Sequence, residues 1–290
     1  MKKQTPKEVS LMTSIIPYTP SFKEGLETLL EDSFVRADVQ KNLLQHEDCC
    51  LLLVEETKIL GTALFTGKNK KTSFTLYIHP NHRRKGLGTL LLKALEDKMA
   101  LEGVEEAVCD FMVHPREEAF LTAHGYNYWF QSNYMTFSGP FPKRPPIHMI
   151  SYEEAAYLDT HQVFAEAFHN MRTLVGIQST LEAPSEEEEE YFAEEKDNLF
   201  LLKDQGELVS CGLISGQEIE TLATHPSKQK RGYGQRLLEG LLYTMHQRGH
   251  DQVTLWAVEG NPAKIFYETM GFQVQRLHTL VQKRLMPPTL

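Results

Sequence analysis

The chain has 290 residues, about twice the commonest length of a single domain, so we expect two domains. Its 41% hydrophobic and 24% charged residues are ordinary for a globular protein and exclude a disordered or collagen-like chain. The longest apolar run, Cys49–Val54, is far shorter than the roughly 20 residues of a membrane-spanning helix. The net charge of -9 and the lack of a basic stripe argue against nucleic acid as a partner.

The excess of acidic residues lies entirely in the second half of the chain. Residues 1–144 contain 18 Lys and Arg against 18 Asp and Glu, whereas residues 145–290 contain 12 against 21. Met1–Lys3 resembles the charged start of a signal peptide, but the polar residues Gln4–Glu8 follow where an apolar stretch would begin. The four cysteines have neither metal-ligand spacing nor a disulfide framework. We therefore predict a cytoplasmic protein with no metal site and with Cys49, Cys50, Cys109 and Cys211 reduced in the core.

A proline-rich stretch divides the chain into two similar halves. Pro140–Pro146 contains four prolines and can form neither a helix nor a central strand. Thr75–Pro80 is matched by Thr221–Pro226 at an offset of 146 residues, and this offset is kept downstream. Upstream the offset is 149, which predicts a turn three residues longer in the first half. We predict two tandem domains, residues 1–144 and residues 145–290.

Each half carries the same order of predicted elements. Helical segments come first, followed by two short apolar strands joined by a polar turn, within 51–65 and within 199–214. A third strand ends at a His-Pro pair, and a turn with two glycines leads into a helix with an apolar stripe, as in Leu237–Met245. A strand, a short helix opened by Asn261 and Pro262 in the second half, and a last strand follow. We predict α/β domains, each with a mixed, mostly antiparallel sheet flanked by helices.

The turn before the long helix is a predicted anion site. Gln229–Gly234 places glycines at a helix N-terminus, where free backbone N–H groups and the helix dipole attract a phosphate. The nearest match to the loop of nucleotide hydrolases, Gly61–Asn69, has the wrong spacing and no Ser or Thr at its end. The dinucleotide pattern also fails, because Gly234 is followed by Gln235, Arg236 and Leu237. The phosphate therefore belongs to another kind of molecule.

These motifs resemble those of the GNAT superfamily of acetyl-CoA-dependent N-acetyltransferases. Gln229–Gly234 and Arg83–Gly88 both fit the superfamily's pyrophosphate loop, [QR]-x-x-G-x-[GA]. Asn261–Phe272 is similar to its second cofactor motif, including the Phe-Tyr pair and the Gly-Phe pair. The loop alone is a weak signal, but the strand before it and the amphipathic helix after it occur in both halves. The resemblance covers essentially the whole chain.

The resemblance implies a cofactor role for residues of both halves. Main-chain groups of Leu222, Ala223 and Thr224 would contact the pantetheine arm of acetyl-CoA, and Asn261 would contact the cofactor near that arm. The pyrophosphate would be held by the loop residues Gln229, Lys230, Arg231, Gly232, Tyr233, Gly234 and Gln235. The corresponding residues of the first half are Leu76, Tyr77, Ile78, Arg83, Arg84, Lys85, Gly86, Leu87 and Gly88.

The resemblance also implies the catalytic groups. Acetyl transfer needs a neutral amine, whereas a free alkylamine titrates near ~10.4, and it needs a proton for the departing thiolate. Tyr267 would lie beside the thioester sulfur and act as the acid. Glu220 would act as the base, with Glu218 as the alternative, because strand alternation puts both on one face unless a bulge intervenes. No cysteine lies in the motifs, which favours direct attack over a covalent intermediate.

The first half departs from the pattern where the chemistry would occur. It keeps the pyrophosphate loop but lacks the implied acid and base. We therefore predict a catalytic C-terminal domain and a non-catalytic N-terminal domain that is structural or still binds CoA. In the alignment of the halves, Phe74, Leu121 and Pro115 stand at the positions of Glu220, Tyr267 and Asn261.

The sequence therefore predicts an enzyme that acetylates a primary amine of a small molecule or peptide, acting as a monomer or homodimer. The alternative is a non-catalytic sensor or scaffold that binds acyl-CoA. The run Glu186–Glu190 is interpreted as an exposed helix face, and a second interpretation is that its charge attracts a cationic amine. The motifs do not identify the acceptor.

Overall fold

The computed structural model describes residues 13–144 and 149–285, which form two compact units. Unit 1 extends to Trp129 and includes the residues from Leu280 onward, and unit 2 is Phe130–Thr279. The predicted domain boundary at residue 145 lies outside the described residues and stays a prediction, as does the interpretation of Met1–Glu8. Each unit is a mixed sheet with flanking helices, which confirms the predicted fold class.

Unit 1 contains a sheet in the order β1-β2-β3-β4-β5. The strand β12 (Gln273–Arg284) follows β5 in the sheet order, and its residues 280–284 belong to this unit. Neighbours are antiparallel as far as β4, and β4 and β5 are parallel. The other elements are β1 (Thr13–Pro17), α1 (Lys23–Leu30), α2 (Arg36–Leu43), β2 (Cys50–Glu55), β3 (Lys58–Phe65), β4 (Lys71–Ile78), α3 (Leu87–Leu101), β5 (Glu106–Met112) and α4 (Pro115–Ala123).

Unit 2 repeats this arrangement in the order β7-β8-β9-β10-β11-β6, with residues 273–279 of β12 beside β6. In this order β10 and β11 are parallel neighbours, and the other neighbouring strands from β7 to β6 are antiparallel. The elements are β6 (Asn127–Phe137, from Phe130 in this unit), β7 (Met149–Ser151), α5 (Tyr157–Leu174), α6 (Glu186–Glu194), β8 (Leu199–Asp204), β9 (Glu207–Ser215), β10 (Glu218–Thr224), α7 (Tyr233–Gln247), β11 (Val253–Val258), α8 (Ala263–Thr269) and β12 (Gln273–Arg284).

The long helix of each unit packs its apolar stripe on the sheet, as the helical spacing predicts. All four cysteines are buried and unpaired, which confirms that they are reduced core residues. In the described part of the chain, no helix is long and apolar enough to cross a membrane. The buried stripe residues are Leu91, Leu92, Leu95 and Met99 on α3, and Leu237, Leu238, Leu241, Leu242 and Met245 on α7.

We expect Gly61→Ala to destabilise unit 1. A Cβ at Gly61 would lie 2.5 Å from Ile78 Cδ1 and 2.7 Å from the Tyr77 carbonyl oxygen, and the carbonyl belongs to a paired strand that cannot move alone. Overpacking of this kind costs about 1–3 kcal/mol, measurable by denaturant unfolding. Gly212→Ala is the control, because its Cβ would meet a flexible leucine methyl at 2.9 Å and a carbonyl at 3.2 Å. Equal stability of Gly61→Ala and the native chain would contradict this packing.

Candidate active site

In both units the sheet opens at the carboxyl end of the parallel strand pair. The ladder between β4 and β5 joins three residue pairs and ends at Ser73 and Val108. The ladder between β10 and β11 joins two pairs and ends at Ile219 and Leu255. Beyond these points β4 and β10 keep only their antiparallel partners, β3 and β9. Each unit therefore has a strand gap, which we define as the space between the separated ends of its two parallel strands.

The hydrogen-bond alternation in β10 determines which main-chain groups face the strand gap of unit 2. His225 N–H donates to the Val209 carbonyl (3.0 Å), so Thr224 belongs to a pair that makes no hydrogen bonds with β9. The N–H and C=O groups of Thr224 and Leu222 consequently face the gap. Those of Ala223 point toward β9, so the gap receives main-chain groups from two of the three predicted strand residues.

The same alternation operates in unit 1. His79 N–H donates to the Leu60 carbonyl (2.9 Å), which leaves Ile78 in a pair without hydrogen bonds to β3. The main-chain groups of Ile78 and Leu76 therefore face the strand gap, and those of Tyr77 point toward β3. The two gaps thus present equivalent main-chain groups.

The turn Gln229–Gly234 has a conformation that its sequence explains. The Gln229 side-chain amide donates to the Thr224 carbonyl (3.1 Å), which ties the turn to the end of β10. Lys230 and Gly232 have φ values of 60° and 82°, in the left-handed region that glycine adopts most easily. Gly232 then caps the first turn of α7. Glycine suits position 232 because the backbone there has a positive φ and α7 begins at the next residue.

The turn Arg83–Gly88 in unit 1 has the same geometry. Arg83 Nε donates to the Ile78 carbonyl (2.8 Å), as Gln229 does in unit 2. Arg84 and Gly86 have φ values of 64° and 79°. A side-chain N–H donor at the first position is therefore a structural requirement of the turn in both units, and Arg and Gln both provide one.

Both turns direct a row of backbone N–H groups away from the protein. For residues 230–235 and 84–89, no acceptor for the backbone N–H is found within residues 13–144 and 149–285. The last three of each row belong to the first turn of α7 or α3, where the helix dipole adds positive potential. Such a row suits an anion with several acceptor oxygens, such as a diphosphate.

Glu220 lies on a β-bulge at the start of the strand gap in unit 2. It has no partner in β9, because its neighbours Ile219 and Thr221 pair with consecutive residues of that strand. Its exposed carboxylate accepts a hydrogen bond from the Tyr191 hydroxyl on α6 (3.2 Å). Burial, with the Glu220 charge as a second cause, raises the pKa of Tyr191 to about 12. Tyr191 is therefore a stable donor that orients the carboxylate.

Glu218 occupies a different part of β10. It pairs with Thr254 in the parallel ladder and with Ser215 in the antiparallel one, before the strands separate. The bulge that was named as the exception to strand alternation is present between Ile219 and Thr221, so alternation does not by itself place Glu218 and Glu220 on one face. Glu220 is the carboxylate at the gap.

The predicted alignment of Phe74 with Glu220 is wrong, because β4 has no bulge at this point. Phe74 pairs with Phe65 and the next residue continues the ladder, so Phe74 corresponds to the buried Ile219 of unit 2. Glu220 has no counterpart in unit 1. The bulge also corrects the turn length: the pair Phe65–Phe74 encloses eight residues and the pair Ile214–Ile219 encloses four, so the turn is four residues longer.

Tyr267 and Asn261 lie on or just before α8. Tyr267 is buried against Phe266 and Phe272, and burial raises the pKa of its hydroxyl to about 12. Asn261 Oδ1 accepts from the Ala263 N–H (3.0 Å) in a turn just before α8. Pro262 is the N-cap of the helix, which begins one residue later than predicted.

The strand gap of unit 1 is a cavity of about 490 Å³. One end is formed by the turn Arg83–Gly88. The end nearest the ladder is lined by Phe74, Cys109, Phe111 and Leu121, all of which are buried and apolar. Leu121 stands at the position of Tyr267, so this cavity has neither the bulge carboxylate nor the tyrosine of unit 2.

Unit 2 has a smaller cavity, of about 160 Å³, between α5, α6 and β10. His161 Nδ1 lies 2.5 Å from Glu188 Oε2, and its Nε2 lies 3.2 Å from the Glu182 carbonyl oxygen. Thr221, the residue after the bulge, has a buried hydroxyl for which no partner is found in the described residues. Arg172 lies on the same cavity. The cavity therefore offers polar groups of both charges beside the strand that carries Glu220.

Tyr191, His161 and Thr221 were not predicted from the sequence. His161 lies on the buried face of α5 with Tyr157, Thr160 and Phe164, and a titratable residue on a mostly apolar stripe was the signal that could have found it. Tyr191 and Thr221 carry no such signal, because their role depends on the packing of α6 and on the bulge. No cluster of metal-binding side chains is found in the part of the chain that the structure describes.

Comparison with known families identifies the class of the protein. Residues 15–126 match a model of the acetyltransferase (GNAT) family, and residues 195–274 match a model of an acetyltransferase (GNAT) domain. The chain belongs to the GNAT acetyltransferase family and contains two GNAT domains in tandem. No protein with a curated description matches the chain.

Solved structures share the fold over nearly the whole chain. A GCN5-related N-acetyltransferase from Sphaerobacter thermophilus is 17% identical with a TM-score of 0.73, covering 96% of this chain and 97% of the other. A tandem GNAT protein from the clavulanic acid biosynthesis pathway is 11% identical with a TM-score of 0.61, covering 96% and 100%. A GNAT-family acetyltransferase from Colwellia psychrerythraea is 13% identical with a TM-score of 0.56, covering 95% and 100%. These similarities support the tandem fold.

We expect Glu188→Gln to destabilise unit 2 by about 1–2 kcal/mol, because it replaces the charged acceptor of His161 and of the Tyr157 hydroxyl by an amide. Glu187→Gln and Glu190→Gln are matched controls, since both residues lie exposed on the same helix and should leave stability unchanged. Denaturant unfolding of the three variants measures the difference. A Glu188→Gln variant as stable as the two controls would mean that the His161–Glu188 contact does not stabilise the fold.

Proposed function

We propose that unit 2 is an N-acetyltransferase that transfers an acetyl group from acetyl-CoA to a primary amine by direct attack. The observation that carries the proposal is the alignment of three features along β10: the N–H row at its end, the main-chain groups facing the gap, and Glu220 at the bulge. Membership of the GNAT family supports acyl transfer in general. The residues of unit 2 support this particular reaction.

The strand gap of unit 2 has groups that fit acetyl-CoA along its length. The N–H groups of residues 230–235 and the start of α7 suit the pyrophosphate. The main-chain groups of Leu222 and Thr224 suit the amides of the pantetheine arm. Asn261 offers its side-chain N–H₂, because its Oδ1 already accepts from the start of α8. When bound, acetyl-CoA supplies an activated thioester carbonyl.

Glu220 is proposed as the general base. It is the first residue of β10 beyond the parallel ladder, and its carboxylate is exposed to an entering amine. A carboxylate here accepts a proton from an ammonium group, directly or through one water, and leaves the amine neutral for attack. The Tyr191 hydroxyl, by donating to Glu220, holds the carboxylate in one orientation.

Tyr267 is proposed as the general acid. Because burial raises the pKa of its hydroxyl to about 12, the group keeps its proton at neutral pH and donates it to a departing thiolate. Cys211 is the single cysteine of unit 2, and burial raises the pKa of its thiol well above the ordinary value. A buried, protonated thiol is a poor nucleophile, which supports direct attack over a covalent acetyl-enzyme.

The amine acceptor is proposed to bind with its reacting end toward the cavity between α5, α6 and β10. At about 160 Å³ the cavity is smaller than pockets that enclose a whole drug-sized ligand, roughly 300–1,000 Å³, so it takes a small amine or the amine-bearing end of a larger acceptor. Glu186, Glu187, Glu189 and Glu190 are exposed on α6. Their field raises the local concentration of a cationic amine.

Unit 1 is proposed to bind a CoA compound without turnover. It retains the N–H row and the strand gap but has Leu121 in place of the acid and no bulge to carry a base. A protein that only senses acyl-CoA or scaffolds a partner is the second candidate function. It is favoured by one observation: a cavity of about 490 Å³ that contains the turn Arg83–Gly88 lies in the unit without the proposed acid and base.

Release of free CoA thiol distinguishes the two candidates. The full chain is incubated with acetyl-CoA and a panel of amines that includes diamines, amino acids and lysine-containing peptides. We expect thiol release that depends on the amine and is faster for cationic diamines than for zwitterionic amino acids. Binding of acetyl-CoA without thiol release for any amine would favour the sensor.

Tyr267→Phe is expected to lower kcat by about 100-fold or more, because the thiolate then leaves without a proton. The affinity for acetyl-CoA, measured by calorimetry, should change little, since the ring is retained. Tyr128→Phe is the control, because that ring is 61% exposed on the other unit. An unchanged kcat in Tyr267→Phe would remove this hydroxyl from the mechanism.

Glu220→Gln and Glu218→Gln form a pair that identifies the base. Glu220→Gln should lower kcat by about 100-fold at neutral pH, and its remaining activity should rise with pH as the free amine loses its proton. Glu218→Gln should retain most of the activity, because Glu218 lies within the closed part of the ladder. Steady-state kinetics across a pH range measures both effects. The reverse result would assign the base to Glu218.

A further inference from the structure

We infer that the strand gap of unit 1 binds a CoA thioester whose acyl group is a hydrocarbon chain longer than acetyl. This inference rests on the proposed binding of a CoA compound in unit 1 and names the class of that compound. Its basis is the lining of one cavity, which combines the turn Arg83–Gly88 with a group of buried apolar side chains, Phe74, Cys109, Phe111 and Leu121, beyond the end of the parallel ladder.

The polar end has the groups that a CoA diphosphate requires. The N–H groups of residues 84–89 find no acceptor in the described residues, and α3 begins behind them. Charged residues of both signs also line the cavity: Arg83, Arg84 and Arg116 are cationic, and Asp110 and Glu117 are acidic. The main-chain groups of Leu76 and Ile78 lie along the path from this end toward the ladder.

The apolar end lies where the thioester of a bound CoA compound arrives. Phe74, Cys109, Phe111 and Leu121 line it, and each is less than a tenth exposed. Two of them are larger or less polar than their counterparts in unit 2, since Phe111 stands at the position of Ala257 and Leu121 at that of Tyr267. Apart from the Cys109 thiol, a weak donor, these four side chains offer no polar group, and they favour a saturated chain; Asp110 also lines the cavity.

The strands of unit 1 also separate earlier than those of unit 2. Phe74 and Cys109 are the counterparts of Ile219 and Leu255, which still form a ladder pair in unit 2. In unit 1 the ladder ends one pair before them, at Ser73 and Val108, so Phe74 and Cys109 line the cavity. The volume of about 490 Å³ is within the range of roughly 300–1,000 Å³ typical of whole-ligand pockets.

The cavity binds the acyl chain and does not accept it covalently. Cys109 is the only cysteine among the described residues that line the cavity. Burial raises the pKa of its thiol far above the ordinary value, so the thiol stays protonated. The exposed ring of Phe34 also lines the cavity, where it can cover the far part of a longer chain. The ligand is therefore a held thioester.

Calorimetric titration of the full chain with acetyl-CoA and with octanoyl-CoA tests the inference. Each buried methylene strengthens binding by up to about fourfold, and we expect octanoyl-CoA to bind unit 1 at least about tenfold more tightly than acetyl-CoA. Gly86→Val and Gly232→Val assign the site, because both glycines have positive φ with open space around the missing Cβ. Tight octanoyl-CoA binding should be lost in Gly86→Val and kept in Gly232→Val.

Leu121→Tyr gives a test that does not alter the turn. It installs the residue of unit 2 in the apolar end and should reduce the preference for octanoyl-CoA over acetyl-CoA by at least about fivefold. Leu101→Tyr is the control, because Leu101 is 74% exposed at the end of α3. Equal affinity for the two thioesters in the native chain, or tight octanoyl-CoA binding that is lost only in Gly232→Val, would overturn the inference.

The inference and the proposed function fail in different ways. Acetyl transfer without any preference for octanoyl-CoA in unit 1 would overturn the inference and leave the proposed function intact. Tight octanoyl-CoA binding that depends on Gly86, without thiol release from acetyl-CoA for any amine, would support the inference and contradict the proposed enzyme. No binding of either thioester would overturn both.

Discussion

The separation of two parallel strands is the constraint on which both units depend. A strand in the middle of a sheet normally uses its main-chain groups on both sides, and unpaired groups inside a protein are costly. Beyond Ser73 and Ile219, β4 and β10 form main-chain hydrogen bonds with a neighbouring strand on one side only. The N–H and C=O groups of alternate residues on the other side are therefore available to a ligand. The turn that follows each strand is tied to it by a side-chain hydrogen bond to its last carbonyl. The strand gap and the N–H row are therefore one rigid site, built twice in this chain.

A single inserted residue accounts for much of the difference between the two units. The bulge in β10 adds Glu220 at the point where the parallel strands separate, and it brings a carboxylate to the gap without moving Ile219 from the core. The uninterrupted β4 places Phe74 at the same point and leaves the gap apolar. A bulge changes the direction of a side chain at a low cost in free energy, because regular strand pairing resumes after one residue. The turn with its row of backbone N–H groups is thus independent of the residues proposed to perform chemistry.

The sequence predicted the features that depend on short-range spacing. The two turns, the apolar stripes of α3 and α7, and the repeated order of elements follow from glycine positions and helical periodicity, and the GNAT models confirm the family. A bulge between Glu218 and Glu220 was an open alternative, but its exact place was not predictable, because it is defined by which residue of β9 faces which residue of β10, and the sequence offset hides it behind a longer turn. His161 and Glu188 lie on different helices and are 27 residues apart in the sequence, so no local sequence pattern predicts their contact.

The two cavities divide the polar and apolar requirements of an acyl-transfer protein between the units. A base must be reached by water and by a charged amine, and the proposed base, Glu220, is exposed beside the acidic helix α6. A hydrocarbon group must be kept from water, and the end of the cavity in unit 1 that lies nearest the ladder is formed by buried apolar side chains. These demands conflict at one site, because each polar group added near a hydrocarbon chain reduces the apolar surface that binds it. Duplication of the fold allows each copy to meet one of them while both keep the same turn.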